Sequence, residues 1–334
     1  MNHITIKEVA ALAGVSVATA SRALTGTRNV SPAIVTQVTD AARRLGYRRN
    51  AVASALRSQT TGIVGLVVPQ VSNPFFPLII EAVERALHRE GYNLLLSNSR
   101  DDPELEADRV RALLEHRVDG LVISPCDAVR SVPVVRETSQ RVPLVQFDRK
   151  VDGEFTDWVG LDDEIGISRV VAHLRETGAR SFAFISSGVA NSSGRLRLAA
   201  YQRAINDESR ERTLLGDFTI DWGRAGAKQL LAQPIGLPDA IICGNDMIAL
   251  GVLQVLLDAG LNVPDDVAVT GYDDISFAEL STPRLTSVHQ PYDEMAEQCV
   301  RLLVDRMTTP GKDAVRRIAV APTMVARASS AVGG

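Results

Sequence analysis

Residues 5–26 read TIKEVAALAGVSVATASRALTG, and residues 30–56 read VSPAIVTQVTDAARRLGYRRNAVASAL. Thr5-Ile6-Lys7-Glu8 has the pattern of a capping box, in which the Thr5 hydroxyl takes the Glu8 amide and Glu8 reaches back to Thr5. The helix it opens runs to about Ala13 and keeps Ile6, Val9, Ala10 and Ala13 on one face. Gly14-Val15 breaks it, and Ser16 caps a second helix that turns Thr19, Ala20, Ala23 and Leu24 inward. Gly26 ends this helix. Ser31-Pro32 starts a third, which presents Ile34, Val35, Val38, Ala41, Ala42 and Leu45 before Gly46 closes it. Two short helices joined by a glycine turn and packed on a third make the helix-turn-helix plan. In that plan the start of the second helix meets base edges in the major groove. Here it carries Val17, Ala18, Ser21 and Arg22. Arg22 has the donor fork that fits guanine O6 and N7, whereas Val17 and Ala18 offer apolar contact only, as to a thymine methyl.

Capped helices with tight turns also occur in plain bundles, so charge is the second observation. The chain has a net charge of −4. Residues 1–60 hold Lys7, Arg22, Arg28, Arg43, Arg44, Arg48, Arg49 and Arg57 against Glu8 and Asp40, a formal +6 that leaves −10 on the remainder. A basic head on an acidic body points the head at a polyanion.

The 334 residues suit two or three domains, and 45% hydrophobic with 23% charged residues is ordinary for a globular chain that buries its own core. The longest near-apolar run, residues 62–69, is far short of a membrane span. The first residues read as a capped helix, not as an export signal. Cys126, Cys243 and Cys299 are scattered, which excludes a paired-cysteine metal site and argues against a disulfide framework. The expected compartment is the cytoplasm.

Together the two quoted stretches resemble the headpiece of the LacI/GalR family of bacterial repressors. The chain departs from the family pattern at Ala20, where a larger aliphatic is usual, at Thr25, where asparagine is common, and at Arg49, where proline often precedes Asn50. The resemblance implies DNA contacts from Thr5, Ile6, Ser16, Val17, Ala18, Ser21, Arg22, Val30, Ser31 and Tyr47. It also implies a hinge helix over residues 50–57 that folds in pairs on operator DNA. Asn50 and Ala53 then touch the minor groove, and Leu56 wedges into a base step. The segment is Ala-rich and too short to be helical alone in water. An ordinary linker is the other reading of it.

Beyond residue 60, apolar β-rich runs (63–68, 92–97, 120–124 and 144–147, then 181–186, 240–243 and 267–270) alternate with helical segments. Such alternation implies parallel sheets with right-handed crossovers. Two series with a break near residues 160–162 imply two lobes. Polar residues follow the strands at Ser72-Asn73, Ser124, Asp148-Arg149, Ser186-Ser187, Asn245-Asp246 and Asp273-Asp274, where open α/β sheets bind ligands. Each of these residues taken singly also reads as a helix cap; the cleft hypothesis rests on their joint placement. The resemblance continues here through GLVVPQVSNPFF, DGLVISP, FDR, GLDD, CGNDMIALGVL, GLNVPDDVAVTGYDD and TSVHQP, in family order. It implies an effector cleft lined by Phe75, Phe76, Asp148, Arg197, Phe218, Asn245 and Asp273, with Arg149 and Asn191 at positions that vary in the family. Arg149 beside Asp148 fits an acidic or phosphorylated sugar, or an arginine that merely pairs with Asp148.

No catalytic signature stands out. Residues 14–18 lack the last glycine of a nucleophile elbow, residues 188–195 lack the spacing and lysine of a phosphate loop, and the five histidines show no metal-ligand spacing. The expected fold is α/β: an all-α helix-turn-helix headpiece plus a two-lobed, periplasmic-binding-protein-like core of parallel sheets flanked by helices. The expected divisions are a headpiece over 1–49, hinge and linker over 50–60, and a core over 61–334. Lobe 1 is expected at about 61–161 and 291–320, lobe 2 at about 162–289 and 321–330. The expected function is repression at a pseudo-palindromic operator, controlled by a sugar-like effector, with no enzyme activity, cofactor, metal or membrane partner. A nucleobase or nucleoside effector is the alternative, and an enzyme with a DNA-binding head or a transport solute receptor are rivals from other classes. The absence of a leucine-repeat tail before Gly334 points to a homodimer.

Overall fold

The computed structural model describes residues 4–25, 30–47, 60–205, 212–309, 311 and 314–331. The chain divides into two compact units, Met1–Thr61 and Gly62–Gly334. The small unit holds α1 (Ile6–Leu12), α2 (Val17–Thr25) and α3 (Pro32–Leu45). The Glu8 carboxylate accepts from the Thr5 amide at 2.6 Å and from the Thr5 hydroxyl at 2.8 Å, tying down the first turn. Gly14, at φ +61°, supplies the left-handed residue that turns the chain between α1 and α2. The core is built from small side chains: Val9, Ala10, Ala13, Ala20, Ala23, Val38, Ala41 and Ala42 are all buried. Ala20 is fully covered, so the helices close over the smaller side chain.

The large unit begins with β1 (Ile63–Val68), α4 (Phe75–Arg89), β2 (Asn93–Asn98), α5 (Pro103–Glu115), β3 (Gly120–Ile123), α6 (Val132–Ser139), β4 (Leu144–Phe147) and β5 (Asp157–Leu161). It continues with α7 (Asp163–Glu176), β6 (Phe182–Ser187), α8 (Ser192–Ile205), β7 (Thr213–Gly216), α9 (Ile220–Leu231), β8 (Ala240–Cys243), α10 (Asp246–Asp258), β9 (Ala268–Thr270), α11 (Ser276–Leu280) and β10 (Ser287–His289). Last come α12 (Tyr292–Thr308), β11 (Arg317–Val320) and β12 (Thr323–Val325). One six-stranded sheet has the order β11-β5-β4-β3-β1-β2 and a four-stranded sheet the order β7-β6-β8-β9, both wholly parallel. β10 and β12 form a small antiparallel pair. The chain leaves the large sheet after Leu161, returns through His289 to α12, and crosses again between β11 and β12.

Central strands such as β3, β4, β6 and β8 are buried throughout, while the edge strands β2 and β7 are half-buried or exposed. That is the pattern of parallel strands covered on both faces. The sequence reading does not reach β5, β7, β10, β11, β12, α11 or α12. β5 opens on Asp157, whose buried carboxylate is clamped by Arg306 at 2.7 Å and Arg316 at 2.8 Å. An acidic residue starting a buried strand breaks the apolar pattern, and only the returning chain supplies its cations.

Gly223 on α9 and Gly251 on α10 bring those helices into backbone contact. A Cβ on Gly223 would lie 2.1 Å from the Ile248 carbonyl oxygen, and one on Gly251 would lie 2.2 Å from that of Ile220. Gly223→Ala must push the two helices apart, at a cost of about 1–3 kcal/mol. Urea unfolding of the variant checks this; an unchanged midpoint would mean that the crossing yields freely.

Candidate functional site

In the headpiece, Ser16 caps α2, its hydroxyl accepting from the Thr19 amide at 3.1 Å. Thr5, Ser16, Val17, Ala18, Arg22 and Ser31 are exposed, and Ile6, Ser21, Val30 and Tyr47 are half-buried. The Arg22 Nε donates to the Ala18 carbonyl at 3.2 Å, along the same helix. The buried alanines of α2 face the core and leave its first turn and Arg22 outward. Asn50, Ala53 and Leu56, with the hinge helix expected around them, lie outside the described residues.

In the large unit, loops at the carboxyl ends of both parallel sheets converge. β1 leads to Asn73 and to Phe75-Phe76 at the start of α4; β4 leads to Asp148-Arg149; β6 leads to α8 with Ser193 and Arg197. β7 leads to Phe218, β8 to Asn245 and β9 to Asp273. One cavity of ≈ 20 Å³ is lined by Asn73, Phe75, Phe76, Asp148, Arg149, Ser193, Arg197, Phe218, Asn245 and Asp273. Beside it lies a wider one of ≈ 390 Å³, and Arg149 and Phe218 line both. Eight of the nine residues singled out from the sequence reach the inner cavity; Asn191 lines the outer one. Asn73, one of the strand-end residues of the cleft hypothesis, joins the eight, and so does Ser193, which the sequence reading does not single out. Ser193 had only its nearness in the chain to Arg197 as a signal.

Arg197 is buried. Its Nε donates to Asp163 at 2.9 Å, its Nη1 donates to the Gly244 carbonyl at 2.7 Å, and Asp273 stands 3.6 Å away. The guanidinium carbon sits 3.8 Å from the Tyr272 ring centre, and the Tyr272 hydroxyl donates to Asp163 at 2.9 Å. Burial opposes the charge, but Asp163 and Asp273 outweigh it and hold the arginine above its ordinary pKa. Asp273 in turn accepts from the Gln290 side-chain amide at 2.7 Å. Burial pushes Asp273 up to about 7 and Asp148 up to about 6, against the pull of the neighbouring arginines. Asp148 and Asp273 have left-handed backbones, at φ 61° and 102°. Such angles are uncommon outside glycine, and aspartate is among the residues that adopt them most readily.

Arg149 pairs at 3.1 Å with Asp101, from the loop after β2 of the same sheet, rather than with its neighbour Asp148. The strand-end asparagines do act as caps: Asn245 Oδ1 accepts from the Ile248 amide at 2.9 Å, and Asn191 Oδ1 from the Gly194 amide at 2.8 Å. Capping and lining coexist, because each cap uses one oxygen and leaves the amide nitrogen for another partner. For Asn191 that partner is Ser187 Oγ, at 3.2 Å.

Residues 5–50 match the lacI family of bacterial regulatory proteins. Residues 171–330 match a periplasmic binding protein-like domain. The ribose operon repressor of Escherichia coli (strain K12) is 33% identical over 331 residues, covering 98% of this chain and 99% of the relative. The chain belongs to the lacI family. As a lacI-family protein it is a DNA-binding regulator of transcription that answers to a small molecule, and not an enzyme. Two solved structures extend the likeness over the whole length. A CelR–cellobiose complex is 33% identical with a TM-score of 0.74, covering 98% of this chain and 99% of that one. The lac repressor dimer bound to operator and the anti-inducer ONPF is 26% identical with a TM-score of 0.89, covering 99% and 100%. Among the described residues no helix is long and apolar enough to cross a membrane.

The raised carboxyls make stability depend on pH. The folded protein keeps protons on Asp148 and Asp273 that the unfolded chain releases near pH 4, so their contribution falls as pH rises from about 4 to about 7. Asp273→Asn removes one of these protons from the balance, and its stability relative to the parent rises across that window. Denaturant melts of both proteins at several pH values check this, and a constant difference between them would refute it.

Proposed function

We propose that the chain is a cytoplasmic, homodimeric repressor whose grip on a pseudo-palindromic operator is set by a sugar-class effector held between the two lobes. The observation that carries the effector assignment is the inner cavity. It combines two buried carboxyl groups, two buried guanidiniums and amide side chains with three phenylalanines. Carboxylates and arginine make paired hydrogen bonds to adjacent hydroxyls, and aromatic faces cover the C–H faces of a sugar ring. The named relatives, a ribose operon repressor and a cellobiose-bound regulator, support the same class.

The walls of the cavity come from loops of both sheets, so a ligand that bridges them favours one arrangement of the lobes over the other. Its effect on DNA is limited to its different affinity for two states, typically about 1–3 kcal/mol. Two headpieces on one operator follow from the dimeric, operator-bound structural neighbour and from the usual spacing of half-sites. Asn50, Ala53 and Leu56 remain assigned to the minor groove, as the family pattern implies.

Two variants separate the halves of this proposal. Arg22→Ala costs about 1–3 kcal/mol at one base position and relaxes specificity there. Binding measured across single-base operator variants reads this out, and an equal loss on all of them would make Arg22 a phosphate contact. Arg197→Ala leaves Asp163 without its cation in the core, so it costs stability, roughly 3–5 kcal/mol, as well as the effector response. Operator binding persists below its melting temperature, and an unchanged effector dose-response there would remove Arg197 from the site.

A further inference from the structure

The inner cavity is one end of a longer cleft. At ≈ 20 Å³ it has room for a single water. The adjoining chamber of ≈ 390 Å³ is within the span of about 300–1,000 Å³ common to ligand pockets. The junction between them is fixed. The Arg149 side chain is 6% exposed and pairs with Asp101, and its guanidinium carbon lies 5.6 Å from the Phe76 ring centre and 5.9 Å from that of Phe218. The two chambers therefore meet over an aromatic and cationic wall that belongs to both.

The outer chamber is polar without an excess of either sign. Arg100, Arg130 and Arg149 face Asp101, Asp127 and Asp217. Several of these are already engaged: Asp101 with Arg149, and Asp127 Oδ1 with the amides of Val129 and Arg130, each at 2.8 Å. A phosphate or carboxylate entering here gains no net field, whereas hydroxyl groups find both donors and acceptors.

We infer that the effector is a neutral saccharide of two units. One unit sits in the inner subsite against Asp148, Arg197 and Asp273, admitted as the lobes part. The other unit occupies the outer chamber beside Gln70, Arg100 and Asp217, and the linkage crosses at Phe218. This rests on the assignment of the cleft to a sugar-class effector. It adds the size and the charge of the ligand, and it makes the outer chamber responsible for both.

The test is calorimetric titration of the full-length protein with glucose, galactose and ribose, with maltose, lactose and cellobiose, with glucose 6-phosphate and with adenosine. The expected result is a disaccharide that binds about tenfold or more tightly than its component monosaccharides, a difference of about 1.4 kcal/mol. Gln70→Trp, which fills the outer chamber, shrinks that ratio toward one. Arg100→Ala, an exposed change, shrinks it as well should the tryptophan variant fail to fold. A monosaccharide that binds as tightly as any disaccharide, with a ratio unmoved by either variant, overturns the second subsite and leaves the cleft assignment standing. Preference for glucose 6-phosphate or adenosine overturns the neutral two-unit ligand. Silence across every probe overturns the cleft assignment and this inference with it.

Discussion

A guanidinium taken out of water must be met on every side, and Arg197 meets that demand by gathering the cleft around itself. Its partners come from separate stretches of chain: Asp163 just after the first crossing between sheets, the Gly244 carbonyl at the end of β8, and Asp273 at the end of β9. Tyr272 lies under the charge and shares Asp163 with it. Gln290, on the second crossing, holds Asp273. A buried ion pair is weak evidence for stability, since desolvation offsets much of the attraction. What such a cluster does supply is position. The groups that face the cavity are held by the same bonds that hold the crossings, so anything that shifts one shifts the other.

The acid-rich lining follows from the same constraint. Asp148, Asp163, Asp246 and Asp273 are all buried near one another, with Arg197 and Arg149 as nearby cations. Burial raises Asp246 well above the ordinary range, and neighbouring Asp273 adds to it. Asp246 accepts from Ser287 at 2.6 Å and from the Ile275 amide at 2.8 Å, so it ties the start of α10 to β10 and to the loop before α11. Burial raises Asp148, Asp246 and Asp273 alike, and the cations and hydrogen-bond donors around each oppose it.

The headpiece depends on a different constraint, close packing of small residues. Its buried alanines bring three short helices together, and Val17 and Ala18 at the start of α2 are left on the outside with Arg22. Much of this was legible in the sequence, because period and caps are local. The inward faces read from TIKEVAALAGVSVATASRALTG are those that form the core, with Val9, Ala10, Ala13, Ala20 and Ala23 buried and Ile6, Leu24 and Thr19 half-buried, Thr19 bonding Ser16 at 2.8 Å. The stretch from β10 through α12 to β11 was less legible as elements. Their strands are three or four residues long, and α12 makes sense only against α4, which it covers.

By itself the sequence determined the class of each unit, the helix caps, the alternation that makes sheets parallel, and which strand ends carry polar side chains. These are properties of neighbouring residues, fixed by backbone geometry and by hydrophobic period. Only the tertiary structure decided which strand ends share a cavity, that Arg149 reaches Asp101 rather than Asp148, that Asn191 stands in the outer chamber, and that Asn73 and Ser193 join the inner one. Those pairings span up to about two hundred residues of chain, as from Asn73 to Asp273. Nothing in a local pattern encodes them, because they arise where two sheets, each folded for its own burial, are brought face to face by three crossing strands of chain.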